Sequence, residues 1–256
     1  MVLSPTFMPP APGEPALPRI SVVTAVRNGA RTLTECLGSV ARQDYPALEH
    51  LVIDGASSDG TVDILRRNAG GRMRWVSEPD RGTYDAMNKG VRLAAGDYLL
   101  FLGADDILLA DLRAVGPRLL DPRTIYYGDA YWPRRHRLYD GPFGAAKLAR
   151  RNICHQAMFY PREVFARYAF DLRYPFQADW ELNMRCFSDP AFRLAYLPLL
   201  VARYNDLDGS STRNRDLALE GDYPRLLWRH FPTHVALPLS AIAIAGRVAR
   251  ALGVLR

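Results

Sequence analysis

Ala94-Ala95-Gly96-Asp97-Tyr98-Leu99-Leu100-Phe101-Leu102-Gly103-Ala104-Asp105-Asp106 is a short apolar run with Gly-Asp in front and two adjacent carboxylates behind. That pattern predicts a fully buried strand ending in an acidic loop. In an open parallel sheet, ligands collect outside the carboxyl ends of the strands, so Asp105 and Asp106 are expected to face a cleft. Hard oxygen ligands there suit Mg²⁺ or Mn²⁺, and such an ion suits a diphosphate. The alternative is that the pair turns the chain and caps the next helix.

Upstream, strands and helices alternate. Ile20 to Ala25 reads as a first strand, and Leu33, Cys36, Leu37 and Val40 recur at helical spacing, with the helix stopping near Tyr45-Pro46. Leu48 to Ile53 is a second strand, Asp54 to Gly60 a loop, and Thr61 to Asn68 a second helix. Met73 to Ser77 and the turn Glu78-Pro79-Asp80-Arg81-Gly82 follow, then a helix turning Tyr84, Met87 and Val91 inward. This alternation predicts right-handed crossovers and an α/β fold: a Rossmann-like, mostly parallel central sheet covered by helices on both faces.

Downstream the rhythm changes. Thr124 to Tyr131 and Arg137 to Tyr139 form a predicted hairpin with the basic cluster Arg134-Arg135-His136-Arg137 at its solvated tip. Cys154 to Tyr160 is expected to be a strand, Arg162 to Tyr168 a short helix, residues 169–178 a loop lining a site, and Phe192 to Tyr204 an extended segment. A helix opens at Asp179, which serves as its N-cap on the plainest reading. The expected organisation is a Pro-rich disordered leader over 1–18, a nucleotide-binding half over 19–120, a smaller acceptor-binding half over 121–212, and a C-terminal helical extension over 213–256. Both halves are expected to share one sheet.

The 256 residues suffice for one large domain or two small ones, and the net charge of +6 favours anionic partners. The arginines are scattered and no nucleic-acid motif accompanies them, which argues against nucleic acid. Cys36, Cys154 and Cys186 are far apart and form no CxxC pair, so neither a disulfide framework nor a zinc site is expected, and a reducing cytoplasm is the default. No uncharged window is long enough to span a bilayer. The C-terminal segment from His234 is apolar up to Ala245, then carries Arg247, Arg250 and Arg256. It fits a basic amphipathic helix making peripheral contact with the inner face of a membrane, and equally a helix packed on protein. Oligomeric state is not legible.

Four segments together resemble the family 2 inverting glycosyltransferases of the GT-A fold. They are SVVTAVRNG, DGASSDGT, SEPDRGTYDAMNKGVRLAAGDYLLFLGADD, and the later pair CHQAMFY and QADWELNMR. The resemblance runs from about Ile20 to about Ser211, and its specificity lies in the order and spacing of motifs that are individually weak. It implies a nucleotide-sugar donor, UDP- or another NDP-sugar, and a saccharide or lipid-linked saccharide acceptor. Asp54 then corresponds to the carboxylate that accepts from the nucleobase, with Thr24 and Val26 packing around it. Arg81 and Gly82, with Ala86 and Asn88 behind them, correspond to the segment that passes over the nucleotide, and Lys89 adds charge. Ala104 and Asp105 fall at the donor.

The family's Asp-x-Asp is incomplete here, because Gly103 stands where the first aspartate often lies. The resemblance implies metal binding by Asp105, with Asp106 secondary, and puts ribose recognition in doubt. Asp179 corresponds to the catalytic base. His155 and Gln156 match a His-Gln pair near donor sugar or acceptor, and Trp180 and Glu181 neighbour the base. Asp208-Gly209-Ser210-Ser211 resembles a loop that closes over the donor. The alternative from another class is a non-catalytic relative that binds a nucleotide sugar or glycan as an interaction module, a reading that the Gly103 departure encourages.

Overall fold

The computed structural model describes residues 17–139, 141–205 and 214–251. Nearly all of the Pro-rich leader and the loop at 208–211 lie outside the described residues. The first half follows the predicted alternation: β1 (Ile20–Val26), α1 (Leu33–Ala41), β2 (Leu48–Asp54), α2 (Thr61–Asn68), β3 (Met73–Ser77), α3 (Thr83–Leu93) and β4 (Tyr98–Gly103). The second half holds β5 (Ile107–Leu108), α4 (Leu112–Val115), β6 (Thr124–Trp132), β7 (Arg137–Tyr139), α5 (Ala145–Arg150), β8 (Met158–Pro161), α6 (Arg162–Arg167), α7 (Ala178–Ser188) and β9 (Arg193–Arg203). Helices α8 (Leu217–His230) and α9 (Thr233–Ala251) follow.

Among the described residues the strands form one sheet in the order β3-β2-β1-β4-β8-β6-β9-β5, with β7 beside β6. The long pairings are parallel, seven residue pairs for β1 with β2 and six for β1 with β4. The antiparallel ones are short, as in the two pairs joining β4 to β8. The sheet is therefore mostly parallel, and the two halves of the chain share it.

Burial on both faces explains why β1 and β4 are nearly continuous apolar runs, while β2 buries Glu49, His50 and Asp54 among its apolar residues. Val26 and Val52 pack with Leu33 and Leu37 of α1 and with Leu65 of α2. On the other face α3 lies so close that a Cβ on Gly90 would sit 2.3 Å from Val23 Cγ1. A buried polar knot holds the amino ends in register. The Glu49 carboxylate accepts from Ser21 Oγ and the Ala95 amide, and pairs with Arg74 at 2.7 Å. Gly96 is required beside it, because a Cβ there would lie 2.6 Å from the Ser21 amide nitrogen.

Three details differ from the sequence expectation. The segment Cys154 to Tyr160 is not one strand: His155–Ala157 form a 3-10 turn and only Met158–Pro161 are extended. From this turn His155 meets Asp179 and Gln156 meets Asp106. Asp179 is not the N-cap of α7: Gln177 holds that position and Asp179 sits in the first turn. The first helix ends at Ala41, short of Tyr45-Pro46.

Candidate active site

The carboxyl ends of β1 and β4 open onto a polar cleft of about 320 Å³, lined by Val26, Arg27, Arg31, Ala104, Asp105, Asp106, His155 and Gln156 among others. A second, aromatic cavity of about 180 Å³ adjoins it, lined by Trp132, Tyr139, Asn152, Asp179 and Trp180. His155, Gln156 and Tyr204 line both, so these three residues form the wall between them. A larger cavity, about 580 Å³, lies by the amino ends of β2 and β3, near Leu48 and Met73. It is at the wrong edge of the sheet for this cleft.

Asp105 and Asp106 are adjacent but not equivalent. Asp106 is buried; its Oδ2 accepts from the Gly103 amide at 2.8 Å and from Gln156 Nε2 at 2.9 Å, and its Oδ1 from the Asn205 amide at 2.9 Å. Burial, with the neighbouring Asp105 charge, pushes its carboxyl up to about 6. Asp105 is half-buried, accepts from Asn205 Nδ2 at 2.8 Å, and lines the cleft. Asp105 is thus the carboxylate presented, and Asp106 the one that shapes the loop behind it. Among the described residues no three His, Cys, Asp or Glu side chains gather into a metal cage.

Gln156 is itself oriented. Burial holds the Cys154 thiol far above its ordinary range, so it remains protonated and donates to Gln156 Oε1 at 3.0 Å. The amide nitrogen is thereby turned to Asp106.

Asp179 is 6 % exposed and takes three hydrogen bonds. Tyr84 Oη donates to Oδ1 at 2.6 Å, and Oδ2 meets Asn152 Nδ2 at 2.7 Å and His155 Nδ1 at 2.8 Å. Burial and the Asp179 charge hold the Tyr84 phenol well above its usual range, so it acts as a donor. Beside this cluster, Trp132 stacks on Tyr139 with ring centres 4.5 Å apart, and Trp180 is fixed by Nε1 donating to the Leu148 carbonyl at 2.8 Å.

Other candidates lie elsewhere. Thr24 is fully buried, with its hydroxyl 2.9 Å from His50 Nε2, away from the cleft. Asp54 is also fully buried; it accepts from the Ser57 amide and hydroxyl and from Ser77 Oγ at 2.6 Å, and so orders the 54–60 loop. Asn88 clasps the Phe170 backbone through both of its amide atoms, and Lys89 pairs with Glu78 at 3.0 Å. Ala86 is core. Glu181 turns away from the cavity to pair with Arg185. Arg81 is largely exposed, 3.5 Å from Asp85, and Gly82 begins α3 with a φ of +117° that favours glycine. Sequence reasoning missed Asn152, Asn205 and Tyr204, and read Tyr84 only as a core residue.

The protein family described as Glycosyl transferase family 2 matches residues 21–163. A PGL/p-HBAD biosynthesis glycosyltransferase of Mycobacterium bovis is 42 % identical over 205 residues, covering 77 % of this chain and 80 % of that protein. An uncharacterised glycosyltransferase of Mycobacterium tuberculosis is 34 % identical over 179 residues, covering 66 % of this chain and 68 % of its own length. Among solved structures, the mannosyltransferase PcManGT of Pyrobaculum calidifontis, in complex with GDP-Man and Mn²⁺, superposes with a TM-score of 0.63 at 21 % identity, over 91 % of this chain and 76 % of that one. Staphylococcus aureus TarS 1-349 in complex with UDP-GlcNAc gives 0.61 at 16 % identity, over 88 % and 66 %. The family match spans more than half of the sequence and the superpositions reproduce the sheet and its helices: the chain belongs to glycosyl transferase family 2 and has the GT-A type of fold.

Proposed function

We propose that the protein transfers a sugar with inversion from a nucleotide-sugar donor to a hydroxyl of a saccharide or lipid-linked saccharide. One observation carries the reading: Asp105 and Asp179 face two adjoining cavities at the carboxyl end of the sheet, separated only by a thin wall of side chains. The cleft at Asp105 is the donor site and the aromatic cavity the acceptor site, where the Trp132–Tyr139 stack, with Arg135 and Arg151 over its rings, forms part of the wall. Complexes of fold neighbours with UDP-GlcNAc and GDP-Man support a nucleotide-sugar donor. The mycobacterial relatives named for PGL/p-HBAD biosynthesis are consistent with a biosynthetic acceptor.

Asp105 would hold a divalent metal, Mg²⁺ or Mn²⁺, because a presented hard oxygen beside phosphates is how such ions are bound with few protein ligands. When bound, the ion neutralises charge on the departing diphosphate. Asp54 would set the nucleobase end of the cleft through the loop it orders, which bonds to the cleft-lining Asn28, and Arg81 and Gly82, just before the cleft-lining Thr83, would pass over the phosphates. Asp179 supplies the basicity that removes the acceptor proton, so that the hydroxyl attacks the anomeric carbon opposite the leaving group. Single displacement needs no covalent intermediate.

The test is a panel of nucleotide sugars with Mn²⁺ or Mg²⁺, read by release of nucleoside diphosphate. Asp105→Ala is expected to abolish metal-dependent turnover, and Asp179→Asn to lower it by on the order of a hundredfold or more. Unchanged turnover in either variant would overturn that residue's role. Binding of a nucleotide sugar without transfer to any saccharide or lipid-linked saccharide would favour an interaction module.

A further inference from the structure

We infer, on the glycosyl-transfer reading with a divalent metal at Asp105, that Asn205 is the positioning residue of the donor site: its side chain orients Asp105, which the acidic loop of this chain leaves unheld.

Strand register places Asn205. β5 and β9 run antiparallel, with Leu108 opposite Ala202 and Ile107 opposite Arg203. Continued by two residues, the same register sets Asn205 opposite Asp105. The Tyr204 amide donates to the Tyr131 carbonyl of β6 at 3.0 Å, so the chain is still tied to the sheet immediately before Asn205. Asn205 then reaches both carboxylates. Its backbone amide donates to Asp106 Oδ1 at 2.9 Å, and its side-chain Nδ2 donates to Asp105 Oδ2 at 2.8 Å.

The two bonds differ in what they add. Asp106 is also held by the Gly103 amide and by Gln156, so the backbone bond is one of three. Among the described residues the Asp105 carboxylate accepts from Asn205 alone, and only through Oδ2. Its other oxygen, Oδ1, is left open on a group whose rotation is already fixed. A carboxylate oriented in this way meets an ion without first having to order itself, and groups that orient a ligating carboxylate tune metal affinity from outside the coordination shell. One such oxygen suffices where phosphates and water supply the remaining ligands. Gly103 gives Asp105 no side chain to lean on, and a Cβ there would lie 2.9 Å from Oδ1. The orientation therefore comes from the end of β9, on the other half of the chain.

Asn205→Ala removes only the side-chain bond, because the amide that holds Asp106 remains. Mn²⁺ binding to the full chain with UDP or GDP, read from the electron paramagnetic resonance signal of free Mn²⁺, is expected to weaken by about tenfold or more. Nucleotide affinity measured in EDTA is expected to stay within about threefold of wild type, since no bond to the nucleotide itself is lost. Unchanged Mn²⁺ affinity would overturn the inference, and so would an equal fall in the metal-free nucleotide affinity, which marks a merely structural role. In the wild type, the ¹H–¹⁵N signals of the Asn205 side-chain amide are expected to shift when Mg²⁺ joins the bound nucleotide. Signals that stay in place would overturn the inference even if the variant fails to fold. A wild type that binds neither nucleotide would defeat the proposed function, and this inference with it.

Discussion

At Gly103 the acidic loop folds back on its own strand. A Cβ there would lie 2.8 Å from Asp106 Oδ2 and 2.9 Å from Asp105 Oδ1. The glycine that replaces the first aspartate of the family pattern is therefore the residue that lets both carboxylates take their positions. Gly103→Asp would place a third negative group in that space. It is expected to lower stability by about 1–3 kcal/mol and to give no gain in nucleoside-diphosphate release, as thermal unfolding and the donor panel would show. Stability and turnover equal to wild type would contradict this packing account. Asp105 and Asp179 were legible as candidates because strand ends and motif order mark them. Their partners were not: Asn152 stands 27 residues from Asp179 and Asn205 stands 100 from Asp105, with no local pattern to connect either pair. Asp54 and Asn88 are expected at the donor by motif; the bonds that fix them, to Ser57, Ser77 and the Phe170 backbone, were not legible.

Helix α9 carries its own signal at the scale of the element. Leu237, Ala241, Ile244 and Val248 follow at spacings of four, three and four, and all four are exposed. That spacing makes one continuous apolar stripe, and Arg250 is exposed towards the helix end. Among the described residues no helix is long and apolar enough to cross a membrane. We propose that the stripe lies on an anionic membrane surface, where a lipid-linked acceptor would be held. Full-length protein is expected to co-sediment with anionic vesicles, and replacing Leu237, Ile244 and Val248 together with Ser should weaken this by about tenfold or more. Equal co-sedimentation of the triple variant would rule the stripe out as the contact. The early strands were legible as elements because each is an apolar run closed by a turn. The turn at His155–Ala157 was not, and the carboxylates its side chains meet lie 24 and 50 residues away in sequence.

For the whole molecule, the parallel half was legible because every crossover is local. In the second half most elements and the hairpin were legible, but the order of the strands was not, since β5 pairs with β9 through Ile107 and Arg203, a contact that no short window contains. Acid stability is likewise a property of the assembled core. Burial pushes His50 from 6.5 down to about 4, so it stays neutral in the fold while the unfolded chain takes up a proton. The stability it contributes is complete above about 6.5 and is lost as the pH falls towards 4. Asp106 opposes this: its raised value favours the fold at low pH, and that contribution fades as the pH rises through about 6. Wild type is therefore expected to lose on the order of 2 kcal/mol more than His50→Gln between pH 7 and pH 4.5, measured by urea unfolding. Equal losses would remove His50 from the account.

The place of β4 in the sheet also has a consequence for how the chain is made. One flank of this strand is covered by β1, which precedes it, but the other is covered by β8 and the turn before it, which begin at His155. At roughly 5–20 residues per second, the fifty or so residues between them take several seconds to synthesise. Throughout that interval the most apolar strand of the protein has an open edge, the hazard that finished sheets are built to avoid. The segment that closes the active site is thus also the one that ends the nascent chain's exposure to aggregation.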